Sequence, residues 1–210
     1  MRCVIITAVC EGGLTSCYHP EEDDFILCAD HGWKLALDEG ITPDAVISDF
    51  DSYEGSDLPV KCVMRHPVEK DDTDTMLCVK YALEHGMKDI LIIGGIGGRL
   101  DHTVANLQTL LYASVRGARI EMRDGNSRLH MLSAPHFTEI TLPACEGYTL
   151  SVFAVGGKCK GISERGVYYK IADTDLTPDF PLGVSNKITA DKAHISIREG
   201  NLLIVESRDN

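Results

Sequence analysis

Basic residues are scarce in this chain: Lys and Arg number 20 against 32 Asp and Glu, a formal net charge of -12. Such a surface repels a nucleic-acid backbone, which excludes DNA or RNA as the default partner. Small phosphorylated substrates stay open, because a bound divalent cation inverts the local sign. Long apolar runs are missing too. The opening Val4-Ile5-Ile6 stretch stops at Cys10-Glu11-Gly12-Gly13 and reads as a first buried strand, not a targeting segment. With no stretch long enough to span a bilayer, a cytoplasmic protein is expected. The eight cysteines contain no C-x-x-C pair and no Cys/His spacing of a zinc site, so they read as reduced thiols used as small core residues. No G-x-x-x-x-G-K-[ST] phosphate loop occurs, and no internal repeat or low-complexity linker. Trp33 is the only tryptophan.

What is present is an ordinary globular composition, 44% hydrophobic and 25% charged over 210 residues, room for one large domain or two small ones. Two rhythms divide it. Residues 1–130 alternate short apolar runs with helical patterns, as in an α/β domain with a mainly parallel sheet. Strands are expected at Phe25–Ala29, Ala45–Ser48, Val60–Met64, Ile90–Ile93 and Ala118–Met122. A short helix runs from Trp33 to Glu39. A second is capped by Asp72 or Thr73 and buries Met76, Val79 and Leu83. A third runs to Gly117 and buries Val104, Leu107, Leu111 and Val115. From residue 135 to 210 the helical period gives way to alternation, at Thr138–Leu142, Tyr148–Val155 and Ala193–Ile197. A hairpin turn at Glu199-Gly200-Asn201 then leads into Leu202–Val205. This half reads as a smaller antiparallel β-sandwich, with the boundary at Met131 to His136.

The carboxylates fall at informative places. Ser48-Asp49-Phe50-Asp51-Ser52 follows a strand directly, where open α/β sheets bind ligands. In an extended chain Asp49 and Asp51 project to one side, and two adjacent carboxylates invite a cation. Oxygen-only ligands suit magnesium; a solvated Asp-rich turn fits the spacing as well. Lys70-Asp71-Asp72-Thr73-Asp74 opens a helix. The dipole there favours acids but not Lys70, whose presence points to a phosphate gripped beside a metal. Gly94-Gly95-Ile96-Gly97-Gly98-Arg99-Leu100-Asp101-His102 puts four glycines between a strand and a helix, letting backbone N–H groups approach a ligand. Leu100 stands where a dinucleotide fingerprint needs glycine. Arg99 offers a fork for phosphate, and Asp101 or His102 a cap. Together the three loops describe a phosphate-plus-metal site without naming the substrate.

At these residues the chain resembles the thiamine pyrophosphokinase family. The motifs stand in family order as Ala29-Asp30-His31-Gly32, Ser48-Asp49-Phe50-Asp51-Ser52, Lys70-Asp71-Asp72-Thr73-Asp74, Gly97-Gly98-Arg99-Leu100-Asp101-His102 with Asn106, and Gly183-Val184-Ser185-Asn186. They span nearly the whole chain. His31 and Ser48 replace family glycines, and Met76 stands where the family usually has Glu. The resemblance implies an N-terminal catalytic domain for ATP, a C-terminal thiamine-binding sandwich, and a homodimer with thiamine between subunits. It implies transfer of a diphosphate from ATP to the thiamine hydroxyl, releasing AMP. Asp49, Asp51 and Asp74 would hold magnesium, Lys70 and Arg99 the phosphate oxygens, and Asp72 or Asp74 would take the hydroxyl proton. Asp30, His31, Gly32, Thr73, Gly94, Gly95, Gly98, Asp101, His102 and Asn106 would surround the nucleotide, and Ser185 and Asn186 would touch thiamine, with Tyr168 or Tyr169 a candidate aromatic platform. Another magnesium-dependent phosphotransferase or hydrolase, or a non-catalytic binder of thiamine or nucleotide, is the alternative.

Overall fold

Apolar runs with no polar alternation form strands only where both faces of a sheet are covered, and the N-terminal half is built this way. The structure, a computed structural model, describes residues 1–48, 63–65 and 72–209. Its strands and helices there are β1 (Arg2–Ile6), β2 (Asp24–Ala29), α1 (Gly32–Asp38), β3 (Ala45–Ser48), β4 (Val63–Arg65), α2 (Asp74–Glu84), β5 (Asp89–Ile93), α3 (Leu100–Ser114) and β6 (Arg119–Asp124). The strands lie in the order β6-β5-β1-β2-β3-β4. Pairings β5–β1, β1–β2, β2–β3 and β3–β4 are all parallel, with Ile5 in register with both Leu27 and Ile92. Val4, Ile6, Cys28, Val46 and Ile93 form one face of this core, under Ala36 of α1. Helix α2 packs against β1, β2 and β3.

Helix α2 buries Val79 as expected, but its other inward residues, and the face of α3, differ from those expected. Helix α2 buries Thr75, Cys78, Val79 and Ala82, leaving Met76 and Leu83 half-exposed. Small side chains let the helix lie close on the sheet, whereas ranking positions by hydrophobicity picks the larger neighbours. Helix α3 buries Asn106, Thr109, Leu110, Ala113 and Ser114, while Val104 and Val115 are exposed. Here hydrogen bonds set the rotation: Asn106 Nδ2 donates to Gly95 O at 2.8 Å and Ser114 Oγ to Met131 O at 3.2 Å. At the start of α2, Thr73 is the N-cap, its Oγ1 accepting from Met76 N.

The remaining strands are β7 (Ser127–Ser133), β8 (Glu139–Pro143), β9 (Tyr148–Ala154), β10 (Cys159–Arg165), β11 (Ile171–Leu176), β12 (Gly183–Asn186), β13 (Lys192–Ser196) and β14 (Asn201–Arg208). They lie in two antiparallel sets, β12-β9-β14-β7 and β11-β10-β13-β8. Leu132, Leu150, Val152 and Ile204 from one set and Ile162 and Ile195 from the other share a core, which makes this a sandwich. By its packing the chain parts into Met1–Ala113 with Ile120–Gly125 and Ser114–Arg119 with Asn126–Asn210. By packing the second unit takes in β7, which pairs along its length with β14. The turn at Glu199-Gly200-Asn201 is not a hairpin: β13 pairs with β8 and β10, β14 with β7 and β9, so the chain crosses between sheets there. Among the described residues no helix is long and apolar enough to cross a membrane.

Candidate functional site

In the N-terminal unit Asp30 and Gly32 follow β2, and Gly94 and Gly95 follow β5. Where β2 ends, Asp30 adopts a left-handed backbone (φ 50) that Asp tolerates. Its N–H bonds Ile47 O at 2.9 Å, and its Oδ1 lies 2.7 Å from His31 Nδ1. Gly32 starts α1 so close to β1 that a Cβ would stand 2.1 Å from Ile6 O. The glycine is therefore a packing requirement that lets this helix terminus reach the sheet edge.

The loop after β5 is fixed from three directions. Gly94 (φ 81) donates its N–H to Arg123 O at 2.7 Å, and Gly95 N–H bonds Val9 O at 3.0 Å. Asn106, buried on α3, holds Gly95 O from behind. From the end of β6, buried Asp124 accepts from Glu11 N at 2.6 Å, Gly125 N at 2.8 Å and Ile96 N at 3.2 Å. Burial raises the Asp124 carboxyl above the usual range, against those three donors. Thr7 Oγ1 donates to the carbonyls of Val9 and Ile93. The glycine loop is thus a backbone cradle braced by Thr7, Glu11, Asn106 and Asp124. Only Asn106 was picked out by sequence. Asp124→Ala would strand three N–H groups and should lower stability by roughly 3 kcal/mol in urea unfolding.

Beyond the cradle, Arg99 and Asp101 pair with each other on the exposed start of α3, Nε to Oδ1 at 3.1 Å and Nη2 to Oδ2 at 2.5 Å. This pair raises the arginine pKa and lowers the carboxyl. An exposed pair is readily exchanged for a phosphate. His102 is exposed, and its N–H bonds Asp101 Oδ1. Gly98 (φ 61) has nothing within 4 Å of a would-be Cβ. At the other edge, Asp74 occupies the first turn of α2, half-buried. Asp72 accepts from Lys80 Nζ at 2.6 Å, an ion pair that occupies one oxygen of this candidate base. Asp49, Asp51 and Lys70 lie outside the described residues. Among the described residues no group of three metal-ligating side chains is gathered.

In the C-terminal unit Ser185 is exposed and left-handed (φ 60), its N–H bonded to Ser151 Oγ at 3.1 Å. Asn186 is buried. Its Oδ1 accepts from Tyr169 N and Lys187 N, both at 2.9 Å, and its Nδ2 donates to Tyr169 O at 2.9 Å and Glu164 Oε2 at 3.1 Å. All four hydrogen-bonding positions of the amide are used. The Asn186 amide is thus fully engaged within the protein and fixes its neighbours. Tyr168 and Tyr169 are exposed and meet edge to face at 4.8 Å.

Glu164, which sequence did not distinguish from its strand neighbours, is 2% exposed. Burial pushes its carboxyl up to about 7 from 4.5, opposed by the Asn186 hydrogen bond. The unfolded chain loses this proton first, so stability falls as pH rises from 4.5 to about 7 and is level above. Glu164→Gln removes that slope. The variant should match wild type near pH 4 and exceed it by up to about 3 kcal/mol near pH 8 in denaturant titrations.

Comparison with known proteins follows this division. Residues 19–122 match the family model "Thiamin pyrophosphokinase, catalytic domain" and residues 138–202 the model "Thiamin pyrophosphokinase, vitamin B1 binding domain". The thiamine pyrophosphokinase of Bacillus subtilis (strain 168) is 26% identical over 197 residues, 91% of either chain. The crystal structure of thiamine pyrophosphokinase from Bacillus subtilis superposes with a TM-score of 0.85 over 100% of both chains at 24% identity. That of thiamin pyrophosphokinase from Geobacillus thermodenitrificans gives 0.80 at 25% identity, covering 100% of this chain and 99% of the other.

Proposed function

The chain belongs to the thiamine pyrophosphokinase family, and on that premise we propose that its N-terminal unit binds ATP and its C-terminal unit binds thiamine. It is an enzyme: it transfers a diphosphate from ATP to the hydroxyl of thiamine, giving thiamine diphosphate and AMP. The observation that supports the nucleotide assignment is the loop braced at Gly94, Gly95 and Ile96, which carries Gly98 and Arg99 beyond it. Asp30, His31, Gly32 and Thr73 stand at neighbouring strand and helix ends and line the nucleotide with Asp101, His102 and Asn106.

The thiamine hydroxyl attacks the β-phosphorus as the bond from that phosphorus to the oxygen retained by AMP breaks. Arg99 exchanges Asp101 for phosphate oxygens, and Lys70 grips a second set. Asp74 accepts the hydroxyl proton or, with Asp49 and Asp51, holds the ion; Asp72, tied to Lys80, is the weaker base. This oxygen-only donor set suits magnesium, which when bound neutralises charge on the transferring group. On the thiamine side Ser185 contacts the pyrimidine, while Asn186 holds Tyr169 against it.

The large apolar side chains Tyr168, Tyr169, Phe180, Leu182 and Val184 are exposed on or beside the Ser185 segment, which supports a homodimer that covers them with thiamine at its interface. The free thiols at Cys3, Cys28, Cys78 and Cys159 suit a cytoplasmic protein. The test is product analysis: with ATP, magnesium and thiamine, AMP and thiamine diphosphate should form in equal amounts, and only when thiamine is present. ADP or inorganic phosphate as the product would point to another phosphotransferase or a hydrolase, and binding without turnover to a non-catalytic binder.

A further inference from the structure

Glu164 lies on β10 opposite Ile171 of β11 and Ile195 of β13, a position any apolar residue could fill. On the neighbouring strands Arg165, Asp173, Asp175, Lys192 and His194 are exposed and Lys160 is half-exposed, as Tyr168, Tyr169, Lys170 and Lys187 at the neighbouring turn are exposed, while on the facing sheet Glu206 is buried and paired with His130. No charged neighbour contributes to the state of the carboxyl. Its partner is Asn186 Nδ2. The other three bonds of that amide clamp both backbone groups of Tyr169 and the N–H of Lys187. Tyr168 N–H reinforces the clamp by bonding Lys187 O at 2.9 Å. Ser185, in its left-handed conformation, is the residue just before.

We propose that Glu164 is a positioning residue for thiamine, acting through Asn186 to hold Tyr169 and Ser185 in place. The proposal rests on the reading that puts thiamine against Ser185. Uncharged, the carboxyl is a tolerable core group that accepts from Asn186. Ionised, it is a buried charge with one amide donor and no cation, relieved only if water enters or Asn186 shifts. Thiamine therefore binds the protonated form better, and by reciprocity bound thiamine makes Glu164 harder to ionise.

Initial rates at saturating ATP and magnesium, followed through the Glu164 titration near pH 7, test this. The wild-type KM for thiamine should rise roughly fivefold or more, while the KM for ATP shows no such step. Glu164→Gln, neutral at every pH, should keep a low thiamine KM throughout; Glu164→Ala should have a high one throughout. Titration of thiamine itself is common to all three proteins and cancels in the comparison. If Glu164→Gln traces the wild-type profile, or the KM for ATP moves in parallel, Glu164 does not position thiamine. A readout independent of variants is the carboxyl 13C shift of Glu164 in wild-type protein, whose midpoint should move up when thiamine is added. An unmoved midpoint also overturns the proposal. Absence of thiamine-dependent AMP in wild type at any pH is a different failure, which removes the enzymatic reading itself.

Discussion

Asp74→Asn should slow AMP formation by about a thousandfold, the scale on which a group that stabilises transition-state charge is felt, while leaving the unfolding midpoint nearly unchanged. Asp74 sits in the first turn of α2, half-buried, where a carboxylate is favoured by the helix dipole. Losing that contribution removes only about 0.3–1 kcal/mol, and Asn keeps the shape. The cap of the helix is Thr73, which the substitution leaves alone. Turnover and stability should thus separate cleanly. Initial rates at saturating thiamine, set beside thermal unfolding followed by circular dichroism, measure both. A near-native rate would show that Asp74 holds neither ion nor proton.

Gly94→Ala should be the most damaging glycine replacement in the nucleotide loop, for a reason that does not apply four residues later. At Gly94 an added Cβ would lie 2.1 Å from Val9 O and 2.6 Å from Thr7 Oγ1. Val9 O already accepts from Gly95, and Gly94 N–H is committed to Arg123 O. The loop can therefore relieve the clash only by breaking its own bracing. A loss of about 3 kcal/mol or more is expected, the sum of left-handed strain and broken hydrogen bonds, together with loss of measurable ATP binding. Gly98→Ala meets no atom within 4 Å and carries only the strain at φ 61, about 1–2 kcal/mol. Urea unfolding and calorimetric titration with ATP rank the two. The reverse order would mean that the loop is not braced through Thr7 and Val9.

The parallel sheet was legible because uninterrupted apolar runs such as Val4-Ile5-Ile6 and Ile90–Ile93 are what two covered faces demand. Helix faces were less legible. In α3 a hydrogen bond from Asn106 and another from Ser114 decide which side turns inward, and hydrophobicity alone selects the opposite stripe. In the C-terminal half, alternation revealed β8, β9 and β13, and the apolar run Leu202–Val205 revealed β14. Missed were β7 and β12, and also β10 and β11, whose pairing is interrupted by register shifts and whose Asp173 is left-handed. Also missed was that the chain changes sheets at Gly200, since a tight turn has one sequence signature whichever strands it serves. Of the site, the glycine cluster and the acid-rich helix start were readable as types in a pattern. Asp124, Thr7 and Glu164 were not, because what distinguishes them is burial and the direction of backbone N–H groups. Asn186 belongs to the same class. Its position was readable, but that its amide is saturated follows only from the fold.

In the proposed reaction Asp49, Asp51 and Asp74 would hold a divalent ion on ATP. The most direct test is a crystal grown with manganese in place of magnesium and a non-hydrolysable ATP analogue. Anomalous scattering should put an ion in contact with all three carboxylates and the phosphates, beside the Gly94–Gly98 loop. Density for the analogue with no ion among those aspartates, or an ion bound elsewhere on the chain, would contradict it.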